Sequence, residues 1–288
     1  MNLQKDNAMK QRAFAQVDVF TQVPYMGNPL AVVMDGAGLA DAQMQHFAHW
    51  TNLSETTFVT ATTQPSADYR IRIFTPGSEL AFAGHPTLGT CHAWLAAGGK
   101  PRSSEFIIQQ CEAGLVKIRR DGARLAFAAP TLKRSAPSPS VLARIAAALG
   151  LKASQVISAQ TLDNGTAWTG LLLESPQTVL SLEPDHLELK KLGLKVGVVG
   201  VYPPGAESGI EVRAFAAAVG IPEDPVTGSL NASLAQWLIT DGHLPASYVA
   251  AQGVCLGRAG RVHIERDEDG QVWVGGSSVT CVSGMVTL

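Results

Sequence analysis

The chain has 288 residues, 46% of them apolar and 16% charged, with 22 Lys and Arg against 24 Asp and Glu. This composition can bury a sizeable core, in two ordinary domains or in one unit of two similar halves, and it excludes a disordered chain. No basic run is longer than Arg119-Arg120, so neither nucleic acid nor an anionic membrane finds a landing surface.

The four cysteines, Cys91, Cys111, Cys255 and Cys281, form no CxxC pair and read as isolated thiols of a reducing compartment. The first residues are polar, and no run reaches the roughly 18 apolar residues of a membrane span. A cytoplasmic protein is expected.

Residues 13–20 alternate as a half-buried strand does, and Gly27-Asn28-Pro29 is turn chemistry before a second apolar run at 30–34, which predicts a hairpin. Asp41 is placed to cap a helix with Met44, Phe47, Ala48 and Trp50 at helical spacing. Glu55 then stands where the strand-like ETTFVT begins. The alternating segment 68–74 runs through TPGSELAFAGHP into a helix with Leu88, Cys91, His92 and Leu95 on one side, which the glycines of AAGG stop. EFIIQQ is a strand, and LVKIRRDGARLAF is a hairpin about Asp121-Gly122.

The Pro- and Ser-rich segment 130–140 reads as a linker, dividing the chain into halves 1–130 and 131–288. The order then recurs: a short helix (VLARIAAALG), strands around TAWTGLLLE, a helix over 183–192, the strands KVGVVGVY and IEVRAFA, the loop EDPVTGS with its helix, and a final hairpin. Phe74 matches Phe215, Gly84-His85-Pro86-Thr87 matches Asp224-Pro225-Val226-Thr227, and Trp94 matches Trp237. Two copies of one α+β unit predict a cleft where equivalent loops face each other.

Gly84 and Gly228 allow close backbone approach to a ligand, and each precedes a helix whose unpaired N–H groups and positive dipole end suit an anion. Taken singly, Pro86 and Ser229 are also just good helix-start residues, Pro in the first turn and Ser as a cap. His85, in a loop that favours exposure of its ring, is an acid, a base, a hydrogen-bond donor or simply structural. Glu55, among small hydroxyl residues at a strand start, gains a raised pKa if buried and then suits proton transfer; otherwise it is an edge-strand glutamate. Asp224, followed by proline, fits a turn as well as a site. His46 and His49 lie three apart with no third ligand, so no metal is expected. Neither loop has a cysteine, which excludes a cysteine-pair racemase, and GxSxG, Walker, GxGxxG and HExxH motifs are missing from the sequence, so no cofactor is expected.

VDVFTQVPYMGNPLAVV, NLSETTFV, IRIFTPGSELAFAGHPTLGT, EVRAFAAAVGIPEDPVTGS and AAQGVCLGRAGRV, in this order and spacing, resemble the PhzF-like phenazine-biosynthesis family over nearly the whole chain. The resemblance implies a diaminopimelate epimerase-like α+β fold: two pseudo-symmetric halves, each a curved sheet around a central helix, with the active site between them and a last strand able to return to the first half. It implies that Glu55 is the acid/base moving a proton on a small cyclic carboxylic acid. It also implies that Ser54, Gly84, His85, Asp224, Thr227, Gly228 and Ser229 surround that substrate, and that the protein is a homodimer. Ala83 stands where many relatives have a cysteine, which removes no proposed acid or base.

The function expected is therefore a cofactor-independent isomerase shifting a proton and a double bond on a small carboxylic acid. A two-base epimerase of an amino or hydroxy acid, and a non-catalytic binding protein, are the alternatives.

Overall fold

The computed structural model describes residues 9–288. Strands β1 (Gln11–Val19) and β2 (Asn28–Val33) form the expected antiparallel hairpin. Its reversal is tied by Gly27 N–H donating to Asp18 Oδ2 at 2.9 Å. Helix α1 (Asp41–Thr51) carries the chain to β3 (Glu55–Thr60), parallel to β2. Asp41 is the first helical residue and not the cap: Ala40 holds that position, and its N–H donates to Gln43 Oε1 at 2.9 Å. Trp50 is 75% exposed, so the buried stripe of α1 is Met44, Phe47 and Ala48 alone.

From β3 the chain turns antiparallel into β4 (Tyr69–Phe74) and the short β5 (Glu79–Leu80). Helix α2 (Gly84–Ala96) crosses over to β6 (Phe106–Cys111), parallel to β4, and the meander β7 (Gly114–Asp121) and β8 (Arg124–Ala128) follows. Helix α2 buries residues on every side, as a helix must when strands surround it.

The segment expected as a linker is more ordered than its composition suggests. It forms β9 (Lys133–Ser135), and Ser138 caps α3 (Pro139–Ala148) by accepting from Val141 N–H at 3.3 Å. Then come β10 (Val156–Asp163), β11 (Ala167–Leu173), α4 (Pro176–Leu180), α5 (His186–Leu192), β12 (Val196–Val201), β13 (Ile210–Ala216), β14 (Ile221–Asp224) and α6 (Gly228–Thr240). Strands β15 (Ser247–Gln252), β16 (Gly260–Arg266), β17 (Val272–Gly276) and β18 (Ser278–Thr287) complete the chain. The helix expected over 183–192 starts only at His186, because Asp185 Oδ1 accepts from Leu187 N–H and Glu188 N–H and sets the start there.

The pairings of β1 to β8 repeat in β10 to β17, including the parallel partners β2–β3 and β4–β6 against β11–β12 and β13–β15. Phe74 and Phe215 correspond, but the loops align differently from the sequence matching. Helices α2 and α6 start at Gly84 and Gly228, so Gly84 matches Gly228 while Asp224 ends a strand. Trp94 accordingly aligns with Leu238. The two sets of strands join through β8–β17, while β18 runs back along β1 and β9 pairs with β10. No helix among the described residues is long and apolar enough to cross a membrane.

Candidate active site

Helices α2 and α6 meet start to start. A Cβ built on Gly228 would stand 3.1 Å from Gly84 Cα and 3.2 Å from His85 N, so any larger residue would push the two helix starts apart by a few tenths of an ångström. Neither helix has a side-chain cap. Ser229 is the second residue of α6 and caps nothing, and Thr227, at the cap position, spends its hydroxyl on Asp224 Oδ2 at 2.7 Å. The first N–H groups of both helices are left for a ligand, with both dipoles pointing their positive ends at one place.

A cavity opens there, and Glu55, Gly84, His85, Asp224, Thr227 and Ser229 all line it with Gly228. Ser54 stands behind, donating to Asp224 Oδ1 at 3.3 Å. The residues expected to carry the proton and surround the substrate are thus brought to one place, from segments about 170 residues apart in the chain, while His46 and His49 lie elsewhere, on α1.

His85 is buried, at 4% exposure, and not exposed as loop placement suggested: its position as second residue of a central helix takes the ring inward. Burial pushes its pKa down to about 3, so the imidazole is neutral. Asn28 Nδ2 lies 3.4 Å from Nδ1, but both of its hydrogens go to Asp224 Oδ1 and Val226 O, so it makes no donation to the ring, whose other nitrogen is Nε2. That nitrogen faces Glu55 Oε2 at 3.3 Å. The two atoms are close without hydrogen-bond alignment, and both lack a partner among the described residues. With the imidazole neutral, this contact is no ion pair.

The two carboxyl groups of the cavity are desolvated alike and bonded differently. Glu55, with 13% of its side chain exposed, is pushed up to about 8, by burial first and by the Asp224 charge second, against an opposing pull from Lys195. Asp224 is also raised by burial, but hydrogen bonds from Thr227, Asn28 and Ser54 oppose the rise. The group with its acceptors engaged is held in place; Glu55 has a free oxygen and a proton that comes and goes near neutral pH.

Four residues here escaped the sequence reading. Asn28 had only the signal of a turn tripeptide, yet it is wholly buried and its Nδ2 donates to Asp224 Oδ1 and Val226 O, each at 2.9 Å. Gln252, inside the AAQGV motif, accepts from Thr227 N–H at 3.0 Å and donates to Asp224 O at 3.1 Å. Trp168 donates from Nε1 to Ser229 Oγ at 3.1 Å, which leaves the serine's own proton free for a ligand. Lys195 lines the cavity beside it. Asn28→Ala strips the buried Asp224 of a donor and is expected to cost about 1.5 to 3 kcal/mol in urea unfolding. Unchanged stability would show that Asn28 does not hold Asp224.

Among the described residues no group of three or more His, Cys, Asp or Glu side chains is arranged to hold a metal ion.

Residues 17–284 match the family described as phenazine biosynthesis-like protein. The chain is 36% identical to "Antisense-enhancing sequence 1" of Schizosaccharomyces pombe, covering 96% of this chain and 99% of that one. It is 35% identical to the trans-2,3-dihydro-3-hydroxyanthranilate isomerase of Pseudomonas aeruginosa, covering 90% and 91%. The crystal structure of a Bacillus anthracis phenazine biosynthesis protein of the PhzF family superposes with a TM-score of 0.84 at 22% identity, over 97% of this chain and all of that one. A probable proline racemase of Agrobacterium radiobacter superposes at 0.64 and 14% identity, over 96% and 93%, a likeness of fold alone. The architecture is the diaminopimelate epimerase-like α+β fold, and the chain belongs to the phenazine biosynthesis-like, or PhzF, family of isomerases.

Proposed function

We propose that the protein moves a proton, and with it a double bond, on a small cyclic carboxylic acid, with Glu55 as the single acid/base and no cofactor. The observation that carries this is the Glu55 carboxyl itself: largely withdrawn from solvent, with Oε2 buried and hydrogen-bonded to nothing among the described residues, and pushed up to about 8 at the mouth of two uncapped helix starts. A carboxylate is a weak base toward carbon in water. Desolvation raises its basicity, and donors aimed at the charge that develops stabilise the transition state by roughly 3 to 4 kcal/mol each.

In the ionised form Glu55 takes a carbon-bound proton. The N–H groups of Gly84, His85, Gly228 and Ser229 receive the substrate carboxylate, onto which the negative charge delocalises. Glu55, now protonated, returns the proton to another carbon on the same face. Neutral His85 offers its Nε2–H to the glutamate or to a ring substituent, and Ser229 offers its hydroxyl proton. Asp224, with Asn28, Ser54 and Thr227 on its oxygens, orients an amino or hydroxyl group. A two-base epimerase needs a second free base. Asp224 has its acceptors engaged and His85 is too weak a base, so the one-base shift fits better.

The test is NMR in D2O with cyclic, unsaturated amino and hydroxy acids, including the substrate in the name of the Pseudomonas aeruginosa isomerase. A relocated double bond is expected, with part of the migrating hydrogen kept from the substrate. Inversion at a stereocentre with full deuterium uptake would establish the epimerase instead.

A further inference from the structure

Lys195 immediately precedes β12 and stands on the cavity wall next to Trp168, its Nζ 5.7 Å from the centre of the indole ring. The same indole is fixed by its bond to Ser229, so lysine, tryptophan and the start of α6 form one continuous wall. Lys195 is half-buried. Its backbone is pinned, the carbonyl accepting from Thr169 N–H at 2.8 Å.

Among the described residues the ammonium has no hydrogen-bond or ion-pair partner. Burial lowers its pKa, and the charges of Glu55 and Asp224 oppose that shift from a distance, with no hydrogen bond contributing. A half-buried ammonium that water alone engages is open to a ligand anion, which would exchange that water for charge-assisted hydrogen bonds. The isomerisation described above makes no use of it: the paired helix starts already receive one carboxylate, contributing about half a charge each. The ammonium keeps its hydrogen-bond donors for a second group in the same cavity.

We propose that Lys195 and Trp168 form a second anion subsite, so that the acid taken by this site carries a second anionic group, such as a carboxylate, besides the one at the helix starts. This rests on the assignment of the first carboxylate to those starts. A dianion entering beside Glu55 and Asp224 meets repulsion that the helix dipoles alone offset poorly; Lys195 supplies the missing charge. Trp168 keeps the ammonium from swinging away through its ring face and gives a planar substrate a flat wall.

Isothermal titration calorimetry with benzoate, isophthalate and terephthalate separates the possibilities, because the ring is constant and only the second carboxylate and its placement change. Wild-type protein is expected to bind one of the two dianions at least about tenfold more tightly than benzoate. Lys195→Met should bring that dianion to within about twofold of benzoate while leaving benzoate unchanged, and Lys195→Arg should restore part of the preference. Equal affinity of the wild type for all three acids overturns the second subsite and leaves the proposed reaction standing. An equal weakening of monoanion and dianion by Lys195→Met also overturns it, assigning Lys195 to the single carboxylate. If the wild type binds none of them, the assignment of the helix starts to a carboxylate falls, and the second subsite with it.

Discussion

Glu55→Gln is expected to lower turnover by at least about a hundredfold while leaving affinity for an acid ligand within a few fold, the usual scale for losing a general acid/base group. Glutamine keeps the shape of the side chain beside His85 and removes its capacity to take a proton. The loss should therefore appear in kcat and not in binding. Turnover within about threefold of wild type would take Glu55 out of the mechanism.

The pH dependence carries the same assignment. Glu55 must be ionised in the free protein to act as a base, and its pKa is pushed up to about 8. At pH 7 that leaves about one molecule in ten in the active form. The wild-type kcat/KM should rise with pH to about 8 and then level, and the residual activity of Glu55→Gln should lack that limb. Stability runs the other way. A carboxyl whose folded pKa lies above its unfolded value of 4.5 binds its proton more tightly when folded, so the protein loses stability as pH rises from there through about 8. Glutamine does not ionise. The Tm of Glu55→Gln relative to wild type should therefore be higher at pH 9 than at pH 5, and a fall in activity accompanied by that gain cannot be attributed to unfolding.

Much of this was legible in the chain because local chemistry announced it. Alternation in 68–74 and the helical run after Gly84 fixed those elements, and the recurrence of the same order after residue 130 pointed to a cleft. The tertiary environment decided the rest. His85 reads as a loop histidine until strands close around α2 and bury it, and only then does its pKa fall and its Nε2 come to face Glu55. Asn28 looks like the centre of a turn, because nothing in Gly27-Asn28-Pro29 reveals that Asp224 and Val226 arrive 196 and 198 residues later. Lys195 begins an apolar strand in sequence and lines the cavity in space. The two loops correspond four residues away from where their sequences match, because proline and threonine recur in both, whereas the equivalent feature is a glycine at each helix start.

Those glycines give the second large effect. Gly228→Ala is expected to cost about 1 to 2 kcal/mol net, a few degrees in Tm, and to lower turnover by about tenfold. Alanine is the better helix former by up to about 1 kcal/mol, so on propensity alone the change would stabilise α6. Against that, the new Cβ would lie 3.1 to 3.3 Å from the backbone of Gly84 and from His85 N, and backbone at a buried helix start has little room to give. The helix starts must part by a few tenths of an ångström, and the N–H groups that meet the substrate carboxylate part with them. Gly84→Ala adds a second conflict, with the ring of the fully buried Phe127 at 2.8 Å, and should be the less stable of the two. The double variant should lose less than the sum, since the first methyl has already opened the gap that the second requires. Turnover measured beside thermal unfolding tests the assignment: a Gly228→Ala protein with a lowered Tm and wild-type turnover would mean that the charge of the transition state develops away from the helix starts, and that their close approach serves packing alone.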